Sequence, residues 1–180
     1  EDLIIKAKKS KMDIGVNEDA HKYEHSIEVQ IPFLQQVTSK FKIVPILLRD
    51  LSMPEIGKIG KLISDIVKEQ ERKGKNVFVL ASSDFTHYGS GYGFVPFKDN
   101  IKENLYALDG KAIDAVLRLD SESFYGQARQ GTVCGFNAVT CLIEIAKNLK
   151  LTPEKLCYYT SGDVSGKWDN VVGYASIGFY

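Results

Sequence analysis

Apolar positions along this chain follow two rhythms, one of three to four residues and one of short unbroken runs, separated by polar turns. Leu3, Ile4 and Ala7 share a helical face within Glu1–Lys9, and a polar connection through Gly15 and Asn17 follows. Between Glu24 and Val37, Ile27, Ile31 and Leu34 fall at i, i+4 and i+7, the stripe of an amphipathic helix. Pro32 interrupts that stripe, because its ring clashes with the carbonyl of Glu28. The helix therefore either kinks there or begins near Ile31, leaving His25 and the glutamates on an irregular entry turn.

Phe41–Leu48 (FKIVPILL) and Asn76–Ala81 (NVFVLA) are continuous apolar runs of strand length, the pattern of strands buried on both faces. Between them Pro54–Arg72 sets Ile56, Ile59, Ile63, Ile66 and Val67 on one side, with Ser52 as N-cap and Gly74 as stop. Strand, helix and strand of these lengths predict a right-handed parallel unit. Asp99–Leu119 is helical with a break expected near Asp109-Gly110, and Ser121–Arg129 adds a turn or two. Gly135–Leu149 is a helix turning Val139, Leu142, Ile143 and Ala146 inward. Leu156–Thr160 and Val171–Tyr180 alternate as two closing strands, joined by the turn-rich Ser161–Gly166.

Four strands and about five helices predict an α/β fold, layered α/β/α around a largely parallel sheet. The sheet is mixed, since the last two strands are joined too tightly for a crossover helix. Such a sheet keeps two edges and a thin core, so a further segment is expected ahead of Glu1.

Composition narrows the functional classes. The 180 residues are 44% hydrophobic and 26% charged, ordinary for a globular chain and of a length that fits one domain. Twenty-three basic residues balance twenty-three acidic ones, which argues against a nucleic-acid or membrane surface built on bulk charge. No apolar run approaches the roughly 18 residues of a membrane span. Cys134, Cys141 and Cys157 are odd in number and lack CxxC spacing, so reduced thiols and a cytoplasmic setting are expected rather than a disulfide framework.

All three histidines lie in two polar-acidic clusters. Ser82–Gly89 (SSDFTHYG) follows the second apolar run, where open α/β sheets place their ligand crevice. Asp84 stands three residues before His87, close enough on a turn to orient the ring and raise its basicity, as a general base or metal partner requires. The plainer alternative is a strand-end cap beside a surface histidine. In His21–Glu28, one helical turn would bring His25 onto Glu28, although acidic residues also favour a helix start for dipole reasons. His21 reads as surface. Cys134 precedes Gly135 at a helix N-terminus, where amides and dipole favour a thiolate ligand or nucleophile; a small buried apolar residue is the competing reading, and the better one for Cys141 and Cys157. Gly89–Gly93 lacks the lysine of a phosphate loop and reads as a mobile loop by the site.

These segments carry a resemblance. EHSIEVQIPFLQ (Glu24–Gln35), KIVPILL, SSDFTHYG, ALDGKAIDAVLRLD, TVCGFNAVTCLIE (Thr132–Glu144) and SGDVSGKWDNVVGYASIGF run in the order of the Memo family, whose microbial members are called AmmeMemoRadiSam system protein B. The resemblance implies a fold similar to the catalytic subunit of class III extradiol dioxygenases. It implies a metal, iron or copper, bound by two upstream histidines and the cysteine matching Cys134. It places His87 as an acid/base group oriented by Asp84 in the same pocket, with His25 approaching. The upstream histidine motifs are absent from this chain, so residues 1–180 are read as one Memo-like domain lacking its N-terminal portion. From the residues alone, His25, His87 and Cys134 also compose a His2Cys set suited to zinc, copper or iron.

The expected function is a metal-dependent oxidoreductase related to dioxygenases, with the reaction left open. Its alternative is a non-catalytic adaptor that binds peptides in the ancestral pocket, as animal relatives bind phosphotyrosine peptides. A Cys134–His87–Asp84 hydrolase triad is a third option. A peptide or small aromatic ligand, a functional link to radical-SAM and AMMECR1-like proteins, and oligomerisation are the expected partnerships, with no nucleic acid and no membrane.

Overall fold

The computed structural model describes residues 2–10, 12–38, 40–49 and 51–180. Glu1, expected in the first helix, lies outside the described residues. Among those described, eight α-helices and a small antiparallel sheet form a mixed α/β structure.

The amino-terminal third is loosely built. Helix α1 (Asp2–Lys9) buries Ala7 and docks through Lys6, which pairs with Glu69. Helix α2 (Glu18–Lys22) is capped by Asn17, whose side chain accepts the Ala20 N–H at 3.0 Å. The expected amphipathic helix starts only at Ile31: a 3-10 turn (Glu28–Gln30) leads into α3 (Ile31–Val37) with Pro32 in its first turn. There the missing proline N–H has no intrahelical partner to lose, so the ring sets the helix start rather than a kink. Neither element buries a residue.

Helix α4 (Met53–Arg72) matches its sequence signals. Glu55 accepts from both the Ser52 N–H (2.8 Å) and hydroxyl (2.5 Å), and Gly74 takes the left-handed conformation (φ +79°) just past the end. Its apolar face meets α7 (Phe136–Leu149) in a cluster of Ile56, Ile59, Cys141 and Ile145. Gly60 permits the close approach, since a Cβ there would stand 2.8 Å from Glu144 Cβ.

The two runs flanking α4 depart from expectation. Residues 41–48 and 76–81 join no ladder among the described residues, so the expected parallel pairing is not formed there. Leu48 and Val79 reach the α4–α7 cluster, but Val44 and Phe78 are 72% and 78% exposed. A strand needs a partner along at least one edge, and among the described residues neither run has one.

The sheet that does form is antiparallel, in the order β1-β3-β2. It comprises β1 (His87–Gly89), β2 (Pro153–Thr160) and β3 (Asn170–Phe179). Between β2 and β3 the expected turn is a one-turn helix, α8 (Ser161–Ser165), because Thr160 and Asp163 cap it reciprocally. Helix α5 (Ile101–Leu117) packs on β2 and β3, and α6 (Ser121–Gln130) packs against α5 and α7. Phe85, Ile113, Val116, Phe124, Val133 and Ile143 make the main core. Helix α5 runs unbroken through Asp109-Gly110: Asp109 is 1% exposed and turned inward, and one helical glycine costs only about 1 kcal/mol.

Candidate functional site

The site is built where the SSDFTHYG and TVCG segments are stitched together side by side. Residues 85–89 lie along β3: Phe85 N–H donates to Gly173 O (2.9 Å), and Gly173 N–H returns a bond to Thr86 O (3.0 Å). This docking fixes the backbone between Asp84 and His87. Against it runs the segment ahead of α7. Thr132 Oγ1 accepts the His87 N–H at 2.7 Å and donates to the His87 carbonyl at 2.9 Å, holding both backbone groups of one residue. Ser83 Oγ accepts the Gly135 N–H at 2.9 Å and donates to Asp84 O at 2.7 Å. Gly135 is required by that approach, because a Cβ would sit 2.6 Å from Ser83 Cβ and 2.7 Å from Ser82 O.

The result is a compact constellation. A His87 ring nitrogen, Asp84 carboxylate oxygen and Cys134 Sγ all lie within 4.8 Å of one another. His87 Nε2 is 3.2 Å from Asp84 Oδ2, with the ring mostly covered and the carboxylate about half exposed. The Asp84 N–H points to Cys134 Sγ at 3.4 Å. Cys134 is exposed and lies one residue ahead of Gly135, the α7 cap, so the amide that reaches its sulfur is that of Asp84 rather than one from α7. The His87 ring stacks on Tyr92 with centroids 5.1 Å apart. Tyr92 belongs to the Gly-rich turn, which is pinned by Gly91 N–H to Asn170 Oδ1 (2.9 Å) and by the Gly89–Phe94 pair.

His25 stands apart from this cluster. It is exposed on the turn before α3, and its carbonyl accepts the Val29 N–H at 3.1 Å. Glu24 closes that turn. Burial would raise its carboxyl, but bonds from the Ser26 hydroxyl, Ile27 N–H and Ser26 N–H pull it below the ordinary carboxylate range. The segment touches the site's SSDFTHYG stretch through Gln30, whose amide donates to Ser82 Oγ at 3.1 Å.

Beneath the site lies a buried acid that the sequence pattern placed at a helix break. Burial pushes the Asp109 carboxyl up, and hydrogen bonds from Thr86 and Tyr158 offset part of that. Tyr158 is itself raised, by burial and then by the Asp109 charge. Thr132, Ser83 and Tyr92 were also missed as contributors, although the first two lie inside the motif segments; only nearness in space to His87 and Cys134 gives the Thr132 and Ser83 hydroxyls and the Tyr92 ring a role. A separate hollow of about 820 Å³ lined by Arg118, Ser121, Glu144 and Lys147 contains none of these residues. Its Ser121, Glu144 and Lys147 are bonded to one another, which leaves little directed polarity for a ligand.

The family follows from the pattern as a whole. A model of the Memo-like protein family matches residues 2–178. The chain belongs to that family. MEMO1 family proteins of Nitrosopumilus maritimus and Methanosarcina mazei are 39% and 38% identical to it, covering 92% and 91% of this chain but 56% and 58% of their own length. A MEMO1 family protein of Thermococcus onnurineus is 38% identical, over 91% of this chain and 59% of its own. The chain thus spans a little over half the length of these Memo relatives. Among the described residues no helix is long and apolar enough to cross a membrane.

Proposed function

We propose that Asp84, His87 and Cys134 are this chain's share of a metal and redox pocket, in a Memo-like domain with oxidoreductase chemistry. One observation carries the reading: carboxylate, imidazole and thiol, from segments fifty residues apart, converge within 4.8 Å, with His87 bonded to the Asp84 carboxylate and the Asp84 N–H directed at the Cys134 sulfur. Bonds of about 2.0–2.3 Å to a four-coordinate ion set ligand atoms roughly 3.3–3.8 Å apart, so the three donors need close by only about an ångström. Exposed Cys134 and half-exposed Asp84 have the freedom to do so. A donor set of sulfur, nitrogen and oxygen suits iron or copper.

In this reading Cys134 supplies the sulfur ligand. His87 holds a proton at the same place, oriented by Asp84, and both stand close enough to complete the coordination. A bound ion would supply Lewis-acid polarisation or electron transfer. His25, apart from the three, lies on the turn before α3, five residues ahead of Gln30, whose bond to Ser82 links that segment to the site; in this reading it would approach the pocket from there. Tyr92, stacked on His87 and half exposed, offers a face to a small aromatic or peptide ligand. Three free cysteines suit a reducing, cytoplasmic setting. A likeness to class III extradiol dioxygenases, with their layered, largely parallel sheet, belongs to the same proposal, supported by the strand-length apolar runs 41–48 and 76–81, which are unpaired among the described residues and would be the strands such a sheet takes up.

Cobalt(II) titration under anaerobic conditions, with elemental analysis of the purified chain, tests it. One equivalent should bind with a sulfur-to-cobalt charge-transfer band. Cys134→Ala should abolish the band, and His87→Ala should weaken binding at least about tenfold. Equal binding by Cys134→Ala, or no band in the native chain, sinks the proposal.

A further inference from the structure

Asp109 occupies a position that packing alone would give to an apolar side chain. It lies mid-helix on α5, 1% exposed, beside core residues Ala112 and Ile113. Among the described residues no lysine or arginine pairs with it; three neutral donors do. Oδ1 accepts the Thr86 N–H (3.2 Å) and the Thr86 hydroxyl (2.5 Å), and Oδ2 accepts the Tyr158 hydroxyl (2.7 Å). Buried carboxyls without an ionic partner are costly, and removing any one donor leaves the remainder worse satisfied. The surroundings are shaped to admit it. Gly173 on β3 is the close neighbour: a Cβ there would collide with Asp109 Oδ2 and stand 3.1 Å from the Tyr158 hydroxyl. Thr86, the residue Asp109 grips by both its N–H and its hydroxyl, lies between Asp84 and His87. Its carbonyl is at the same time bonded to Gly173 N–H. Residue 86 is therefore held by two elements, β3 and α5.

We propose that Asp109 is a positioning residue: through Thr86 it fixes the backbone between Asp84 and His87, and so the reach of both side chains toward Cys134. The inference rests on the proposed metal pocket for its binding readout, but not for its structural one. A group that served packing alone would be replaceable by any side chain that keeps α5 folded. A positioning group leaves its mark on the site even when the fold is intact.

Asp109→Asn, which keeps the volume, and Thr86→Val, which keeps the shape but loses the hydroxyl, are the variants, with Thr86→Ser as the conservative rescue. Circular dichroism selects those that remain folded; if Asp109→Asn does not fold, the Thr86 pair carries the test. Folded variants are expected to bind cobalt(II) about 10–100-fold more weakly, with shifted ligand-field bands, and Thr86→Ser is expected to recover most of the loss. Affinity within twofold of the native chain and unchanged bands overturn the inference. If the native chain binds no cobalt, the pocket proposal has failed, and the inference is read from the ¹⁵N shift of His87 Nε2, which reports its bond to Asp84. A shift in that signal in Thr86→Val, recovered in Thr86→Ser, supports positioning; an unmoved signal overturns it.

Discussion

Thr132 holds His87 by both backbone groups, and Ser83 bonds the backbone of Asp84 and Gly135 while its hydroxyl also lies 4.0 Å from Cys134 Sγ, so short hydroxyl side chains keep the site in shape. The thiols differ sharply in surroundings. Cys134 and Cys157 are exposed, whereas Cys141 is buried between α4 and α7, where desolvation, then the nearby Glu144 charge, pushes its thiol up to about 12. Iodoacetamide at neutral pH should therefore add to Cys134 and Cys157 in the folded protein and reach Cys141 only after denaturant. Mass spectrometry showing Cys141 modified as early as the other two would refute that account. At this scale the sequence named Asp84, His87 and Cys134 from residue type and motif. It did not reveal the role of Asp109, because an aspartate followed by glycine in a helix reads locally as a stop. Only the donors waiting on Thr86 and Tyr158 turn it inward.

Among elements, α1 is fastened by buried Ala7 and by the Lys6–Glu69 pair. Ala7 is buried, but the polar link is Glu69, which Lys6 and then Lys73 hold well below the ordinary carboxylate value of 4.5, at about 2. A carboxylate with a lowered folded-state value contributes its stabilisation above its ordinary value and loses it as pH falls toward the lowered one. The link should accordingly be intact at neutral pH and weaken between pH 4.5 and about 2. Hydrogen exchange followed by mass spectrometry should show α1 opening in that interval before α4 and α7 do, while Glu69→Gln should open α1 already at neutral pH. Simultaneous opening of α1 and α4 would show that the pair plays no separate part. The elements legible in sequence were those whose stabilising signals are local: the Ser52–Glu55 box and Gly74 of α4, the periodic face of α7 and the alternation of β3. The start of α3 was legible as one of two options, and Pro32 decided it.

Over the whole molecule, apolar residues on 41–48 and 76–81 remain uncovered, with Phe41, Ile43, Val44, Val77, Phe78 and Leu80 all exposed. Among the described residues these two apolar runs have no strand partner, and such runs favour self-association and dye binding. The chain should bind 8-anilinonaphthalene-1-sulfonate strongly and scatter light increasingly with concentration, and Val44→Lys with Phe78→Lys should reduce both. Dye fluorescence no brighter than with a fully covered globular protein would contradict this surface.

What the sequence settled by itself were features decided within a few residues: helix faces, caps, the alternation of the closing strands, and which side chains carry acid, imidazole and thiol chemistry. Apolar content made 41–48 and 76–81 suitable for strands, but a strand exists only through hydrogen bonds to another, and that pairing is not written in the segment itself. Tertiary structure alone decided that β1 pairs antiparallel with β3, that Asp109 faces inward, and that Cys134 meets His87. Each depends on groups brought together from distant parts of the chain, where packing and hydrogen-bond satisfaction outweigh local preference.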